Sequence, residues 1–400
     1  MKDALTDLMS EESIDRMRRP IEEAWTFPAR AFSDPAFLAL EKEKIYQRRW
    51  VAVLYDFDVA NPGDVFPFEL LGMPMFCARA QDNRLRVFHN ICPYDGAPIV
   101  TKRAKGCQNL VVNYHGWIYS LEGKLLAAPH WNGGSELDMP SRPRGEIDLH
   151  EVATEVFMRT VFINLGSAPE PFEEFLAPLL GALEEYDLER ASIALDTTGK
   201  PYTGEAHVAS NWKTFFENAC VNVLHESFVH ELYQASTEIP RVAGDGTRTW
   251  VDITDKAFLA LAYDAADFEH TYPSLETPHL GRDPASPPTK EFFGTLYPNF
   301  YFCASAQAIE VSYVLPEAVD KVFSRVSYYL EEGVAVDPAK LDQRRIIIDM
   351  FHEAFVEDQH IVEAIQRGRE SPAFQQKFYA PFWDKMHFYL NGLILDDLQT

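Results

Sequence analysis

Two histidines, His225 and His230, stand five residues apart in the stretch N-W-K-T-F-F-E-N-A-C-V-N-V-L-H-E-S-F-V-H, residues 211–230. Neutral imidazoles ligate divalent transition metals, so this pair offers two of the donors that a mononuclear site needs. The chain has 12 histidines, and a buried histidine is as readily a packed, hydrogen-bonded residue. Spacing alone leaves both readings open. The five cysteines, Cys77, Cys92, Cys107, Cys220 and Cys303, are odd in number and widely spaced. That argues against a disulfide framework and makes a reducing cytoplasm the expected compartment.

The elements that must position these residues follow from texture. Residues 1–24 read as a polar, partly helical segment, and residues 35–48 as an amphipathic helix. The polar, acidic N-terminus has no apolar core of a secretory signal. From Trp50 to about Gly166, short apolar runs such as VAVLYDF, LRVFHNI and VFMRTVFINL alternate with turn signals, the pattern of a small antiparallel β module. Beyond it, residues 211–230 and 336–370 read as helical blocks, and 264–293 as a long loop. Runs near 296–330 read as strands. The fold class expected is α+β, a β module set into a larger mixed domain.

Composition narrows the function classes. A net charge of −25 over 400 residues repels phosphate backbones and anionic lipid, so no nucleic-acid or membrane partner is expected. No run of eighteen apolar residues occurs, so no transmembrane helix is expected. Hydrophobic residues at 46% suit large buried cores.

The string N-W-K-x-x-x-E-N followed by H-x-x-x-x-H resembles the mononuclear iron motif of Rieske non-haem iron oxygenase alpha subunits. The stretch from Trp25 to Trp50 also resembles that family's lead into its cluster domain, and the likeness extends over nearly the whole chain. The resemblance implies a Rieske-like β domain at 46–166, preceded by a helical segment, 1–45, that packs on a catalytic domain at 167–400 of helix-grip, START-like architecture. It implies a facial triad in which His225 and His230 are joined by Asp358, from the late helix segment F-V-E-D-Q-H-I-V-E-A-I-Q-R-G. Two imidazoles and one carboxylate bind Fe(II) on one face and leave positions open for dioxygen and substrate.

In this family the β module holds a [2Fe–2S] cluster through C-x-H and, about fifteen to seventeen residues on, C-x-x-H. The matching segments here are N-I-C-P-Y-D-G-A-P-I, residues 90–99, and V-V-N-Y-H-G-W-I-Y-S, residues 111–120. The framing residues Asn90, Gly96, Tyr114, Gly116 and Trp117 fit. Cys92 and His115 are present, but Tyr94 replaces the first histidine and Val112 the second cysteine. Asp95 stands where the family has arginine. Valine has no lone pair, and a phenol is a poor substitute for a neutral imidazole. The expectation is a chain without its own cluster, with Cys92 and His115 as relics. A zinc ion on Cys92, Cys107 and His115 is a further option, one the spacing does not favour. The family's acidic bridging residue, three before the first iron histidine, is Asn222 here, and Leu224 replaces its usual tyrosine.

An oxygenase without a cluster needs electrons from elsewhere. The leading expectation is an alpha-type subunit in a trimer-based mixed oligomer. A related chain with an intact cluster, fed by an NAD(P)H-dependent reductase or ferredoxin, would supply this chain's iron. The reaction expected is hydroxylation or demethylation of a small organic molecule. The alternatives are a non-catalytic pseudo-subunit, or an iron enzyme whose substrate supplies the electrons. Aromatics across 228–302, among them Phe228, Tyr233, Trp250, Phe258, Tyr263, Tyr272, Phe292, Phe293, Tyr297, Phe300 and Tyr301, read mostly as core. Some suit a pocket for an apolar substrate or a cage for a quaternary amine.

Overall fold

The computed structural model describes residues 4–134, 137–221, 223–231, 246–265 and 277–400. It divides into two compact units: Gln47–Pro169, and a larger one in which residues up to Tyr46 join Glu170–Thr400. No helix among the described residues is long and apolar enough to cross a membrane.

The smaller unit is built mainly of antiparallel sheet. β1 (Val51–Tyr55), β2 (Val65–Leu70), β3 (Met73–Arg79), β4 (Leu85–His89), β9 (Glu151–Phe157) and β10 (Thr160–Asn164) form a sheet in the order β1-β10-β9-β4-β3-β2. The second sheet has four short strands in sequence order, β5 (Leu110–Val111), β6 (Ile118–Tyr119), β7 (Leu125–Pro129) and β8 (Leu137–Asp138). One apolar core joins residues of both sheets: Phe76 and Phe88 from the first, Leu110, Tyr119, Leu125 and Ala128 from the second. Cys92 and Val112 belong to that core.

The larger unit is built on one eight-stranded antiparallel sheet. Its strands are β11 (Ala191–Ile193), β12 (Thr203–Val208), β13 (Trp250–Asp255), β14 (Phe258–Asp264), β15 (Lys290–Leu296), β16 (Phe300–Ala304), β17 (Ala308–Ala318) and β18 (Lys321–Glu331). β13 to β18 pair in sequence order, and β11 and β12 both pair with β18. The long helix Leu341–Arg369 buries Arg344, Ile347, Ile348, Val362, Gln366 and Arg369, at the three- and four-residue spacings of one helix face. Its N-terminal half packs Ile347 and Ile348 into a cluster with Ala308, Tyr328 and Leu330 of the sheet.

Three expectations need adjustment. The 211–230 block is broken into the helix Trp212–Val221, a 3-10 turn Val223–His225 and a short helix Glu226–Val229. The late helix starts at Leu341 rather than 336, because Pro338 sits in a separate 3-10 turn that Asp337 caps through Ala339 N–H at 2.9 Å. The long connection ends at Thr289, since Lys290–Leu296 is strand.

The non-ligand residues of the N-W-K-x-x-x-E-N string tie three distant segments together. Asn211 donates to Val319 O (2.6 Å), and its side-chain oxygen accepts from Lys213 N–H (3.0 Å). Trp212 Nε1 and Lys213 Nζ both donate to Glu41, at 2.8 and 2.5 Å, and Lys213 and Glu41 have no solvent exposure. Burial pushes Glu41 up and Lys213 down, and each partly offsets the other. Glu217 accepts from Arg369 of the long helix and lies 2.9 Å from His387 Nε2 of the C-terminal helix. Burial raises Glu217, but Arg369 and then His387 outweigh it and hold it well below the usual carboxylate range.

Glu217 therefore makes a pH prediction. Its folded value lies below the unfolded value of about 4.3, so its stabilisation is complete above that value and fades as pH falls through the depressed one. Glu217→Gln strips Arg369 of its buried counter-charge and should cost about 3–5 kcal/mol at pH 7. Urea titrations from pH 7 to pH 3 should show the gap to wild type shrinking on acidification. A gap independent of pH would refute the assignment.

Candidate metal centre

His225 lies at the end of the 3-10 turn, and His230 just beyond the short helix that follows it. Asp358 lies in the long helix, whose register brings it opposite both. His225 Nε2 and His230 Nε2 are 3.2 Å apart, and Asp358 Oδ1 is 3.4 and 3.5 Å from them. Three atoms with these separations lie on a circle of radius about 1.9 Å, so a first-row cation slightly off their plane meets ordinary ligand distances of about 2.0–2.2 Å. Asp358 Oδ1 is buried without a hydrogen-bond partner despite its two close neighbours, the geometry of donors that converge on a common ion. The donor set fits Fe(II). Burial raises Asp358, but the His225 imidazole and then His230 prevail and keep the carboxyl below its usual range.

His230 is held from behind. Its Nδ1 is 2.9 Å from Glu357 Oε2, and Glu357 Oε1 accepts from Glu231 N–H at 3.1 Å. A carboxylate at Nδ1 keeps the proton there and leaves Nε2 free to ligate. Glu226, between the two histidines, accepts from Tyr263 OH at 2.9 Å.

A cavity of about 310 Å³ opens onto the three donors. Its aromatic wall includes Phe215, Phe293, Tyr301, Tyr328, Phe351 and Phe355. Of the aromatics singled out in the sequence, Phe293 and Tyr301 are here. Trp250 instead stacks on Trp383, Phe258 and Phe300 are core, Phe228 is exposed, and Tyr233 and Tyr272 lie outside the described residues. The sheet contributes polar residues, Glu310 and Ser312 from β17 and Ser324 from β18. Glu310 has no ion-pair partner among the described residues. Burial, and then the Asp358 charge, pushes it up to about 8. Glu310, Glu357 and Phe215 were not singled out from the sequence. A carboxylate on the inward face of an alternating strand, A-I-E-V-S, was the available signal for Glu310.

The smaller unit presents a second pair of loops of nearly identical construction. In one, Cys92 N–H bonds to Ala97 O and Gly96 N–H to Cys92 O; in the other, Val112 N–H bonds to Trp117 O and Gly116 N–H to Val112 O. Gly96 and Gly116 take φ of +79° and +80°, which a side chain would strain. Cys92 and Val112 are thus equivalent positions, and so are Asp95 and His115, three residues further on. Tyr94 is 57% exposed and stacks on Trp117 at 4.9 Å. Val112 is fully buried. Cys92, Asp95 and His115 bring donor atoms within 4.8 Å of one another, and among the described residues Cys107 joins no such group. The third donor beside Cys92 and His115 is therefore Asp95 rather than Cys107. Asn222 lies outside the described residues.

Comparison with known proteins agrees with both units. Residues 194–389 match the model for the ring hydroxylating alpha subunit catalytic domain, and residues 49–140 the Rieske [2Fe-2S] domain. The chain belongs to the Rieske oxygenase alpha-subunit family. It is 24% identical over 373 residues to a chloroplastic choline monooxygenase from Beta vulgaris, covering 92% of this chain and 76% of that one. It is 29% identical over 226 residues to the carnitine monooxygenase oxygenase subunit of Escherichia coli strain K12, covering 55% and 56%. A solved quaternary ammonium Rieske monooxygenase, described for carnitine oxidation by gut microbiota and inter-subunit electron transfer, superposes with a TM-score of 0.71 at 18% identity, over 94% of this chain and 96% of that one.

Membership in the Rieske oxygenase family makes the His225–His230–Asp358 geometry testable through its support. Glu357→Gln should weaken Fe(II) affinity about 10–100-fold, and Asp358→Ala should abolish stoichiometric binding. Anaerobic competition against a chromophoric chelator measures both. Unchanged affinity in Glu357→Gln would show that the carboxylate does not orient His230.

Proposed function

We propose that this chain is the iron-bearing oxygenase subunit of a mixed oligomer, hydroxylating or demethylating a small organic cation with electrons from a related subunit. The observation that carries the reading is the convergence of His225 Nε2, His230 Nε2 and Asp358 Oδ1 within 3.5 Å at the wall of a cavity. Ferrous iron held there supplies dioxygen binding and activation at the coordination positions the protein leaves open. The chain's own residues do the rest. Glu357 fixes the His230 tautomer, and Leu261, Phe293 and Phe355 line the cavity and keep water from the substrate.

The electron source is read from the other unit. Of the four positions where the family holds its cluster, two carry Tyr94 and Val112. The match of residues 49–140 to the Rieske model identifies the domain, while cluster binding depends on four side chains. A buried valine cannot replace a thiolate. On this reading the chain holds no [2Fe–2S] centre, and a related alpha subunit with an intact cluster, charged by a reductase or ferredoxin, donates to its iron. The same two substitutions favour a second reading, a pseudo-subunit that completes the oligomer without chemistry.

Coexpression with an intact relative separates the two. The expected result is a complex with a Rieske EPR signal arising from the relative, and turnover lost when His225 of this chain becomes Ala. Undiminished turnover in that variant would establish the pseudo-subunit. Product from this chain alone, in a single turnover without reductase, would show that the substrate supplies the electrons.

Substrate charge is read from Glu310. A carboxyl group without a counter-ion in an aromatic-lined cavity, held largely neutral by burial and the Asp358 charge, ionises when a compact ammonium group enters, and ion pairing and ring faces then both stabilise that cation. The names of the choline and carnitine relatives point the same way. Glu310→Gln should weaken binding of choline by about tenfold or more and leave its neutral tert-butyl isostere, 3,3-dimethylbutanol, unchanged. Calorimetry on the iron-loaded, oxygen-free protein reads this without turnover. Equal losses for both ligands would remove the charge-reading role.

A further inference from the structure

We propose that the two degenerate loops of the smaller unit hold a single divalent transition metal, of zinc type, on Cys92, Asp95 and His115. The proposal rests on the reading that no [2Fe–2S] cluster forms there. Its starting point is the equivalence of the two loops. Cys92 and His115 occupy the first position of one loop and the fourth of the other, and Asp95 occupies the fourth position of the first. The fourth corner, at Val112, is apolar and closed. Three donors of three kinds therefore face one another across the loop pair, a thiol, an imidazole and a carboxylate, with all donor atoms within 4.8 Å.

One edge of the group repeats the spacing of the iron triad. His115 Nε2 is 3.3 Å from Asp95 Oδ1, yet this buried nitrogen has no hydrogen-bond partner. At the triad, Asp358 Oδ1 sits in the same relation to His225 and His230. Two groups that approach without sharing a proton are placed to share a cation. Tetrahedral ligands at about 2.0–2.1 Å from zinc stand about 3.3 Å apart, which is the separation seen. A sulfur ligand at about 2.3 Å requires an edge of about 3.6 Å to its neighbours, so Cys92 Sγ needs a shift of at most about 1.3 Å. Cys92 Sγ now lies 3.4 Å from Tyr119 OH, a donor that can stabilise the thiolate formed on binding. Binding at His115 Nε2 places the ring proton on Nδ1. That gives up the Trp117 N–H bond, which at 3.3 Å is long. Three protein ligands leave one position for water, and Asp95 lies on the surface loop where water reaches.

The substitutions then form a set. The loop that carries Tyr94 in place of histidine also carries Asp95 in place of arginine. A guanidinium beside Cys92 and His115 would repel a dication, and a carboxylate attracts one. Tyr94, stacked on Trp117, closes an aromatic cover beside His115.

Cobalt(II) tests this, because thiolate ligation gives a charge-transfer band that oxygen and nitrogen ligation do not. The full chain carrying His225→Ala and Asp358→Ala, which removes the iron triad, should still bind one equivalent of Co(II) with that band. Zinc should displace it. Adding Asp95→Asn should weaken binding about 10-fold or more, and adding Cys92→Ala should abolish the band while circular dichroism shows the fold intact. A folded protein that binds no cobalt, or binds it without the band, would overturn the proposal and leave the oxygenase reading standing. Iron with equimolar acid-labile sulfide in the wild-type chain, and a reduced Rieske EPR signal, would overturn both this proposal and the absence of the cluster.

Discussion

Everything in the larger unit serves one constraint: a carboxylate on one helix must meet two imidazoles more than 120 residues earlier in the chain, to within a fraction of an ångström. A sliding or rotating helix would lose that meeting. The long helix is therefore pinned close to Asp358, about 12–17 Å along its axis at 1.5 Å per residue. Gln366 accepts from Asn211 N–H, and Arg369 donates to Thr214 and Glu217. Those three partners belong to the same N-W-K-x-x-x-E-N segment that leads into His225. The string that accompanies the histidines is thus the clamp that sets the distance between the two halves of the triad. Glu41, reached by Trp212 and Lys213, extends the clamp to the N-terminal helices. Buried ion pairs contribute little net stability compared with apolar packing, but breaking one is costly. They suit a place where register matters more than total stability.

The two donor clusters show what burial does to similar chemistry. At the triad, the Asp358 Oδ1 atom is buried against two imidazoles, and one of these, His230, is braced by Glu357. In the loop pair, Asp95 and Tyr94 lie at the surface, while Cys92 and Val112 are core residues between two sheets. Replacing a cluster-binding cysteine with valine at such a point exchanges a ligand for ordinary packing, and the module keeps its fold. The same exchange at Asp358 would be far less neutral, because the two imidazoles would remain converged with nothing between them.

The parts legible in sequence were those in which local pattern and function coincide. Alternating short runs disclosed the β module, and the late helix appeared as a helical block from 336 to 370. Likeness to a known motif supplied Asp358, which no spacing argument could reach, since its partners are distant in sequence. The break within 211–230 was hidden because a valine-rich stretch keeps helical periodicity while disfavouring helix. Glu310 was hidden because one acidic residue in an apolar strand looks the same whether it faces solvent or a cavity; only the register with Tyr328 on β18 places it inside. Asp95 was visible as a departure from the family pattern, but its approach to His115 depends on the two loops being superposable, which is a property of backbone hydrogen bonds rather than of residue types.

A chain that has exchanged cluster ligands but kept a converged triad must be explained by what the triad costs when idle. A buried carboxylate oxygen with no hydrogen-bond partner costs on the order of 1–3 kcal/mol, and the two imidazole nitrogens beside it, 3.2 Å apart, can share only one proton between them. Glu310 adds a second, half-buried carboxyl group in the same cavity. A scaffold freed from chemistry would lower its energy by replacing any of these with an apolar side chain of similar volume. Their joint presence, beside a braced His230 and a cavity of about 310 Å³, is what the proposed reading accounts for, with a metal and a cationic ligand neutralising the charges. On the proposed reading, absence of a cluster from this chain and retention of its iron donors are compatible, because electrons arriving from another subunit give the triad delivery of charge without local storage.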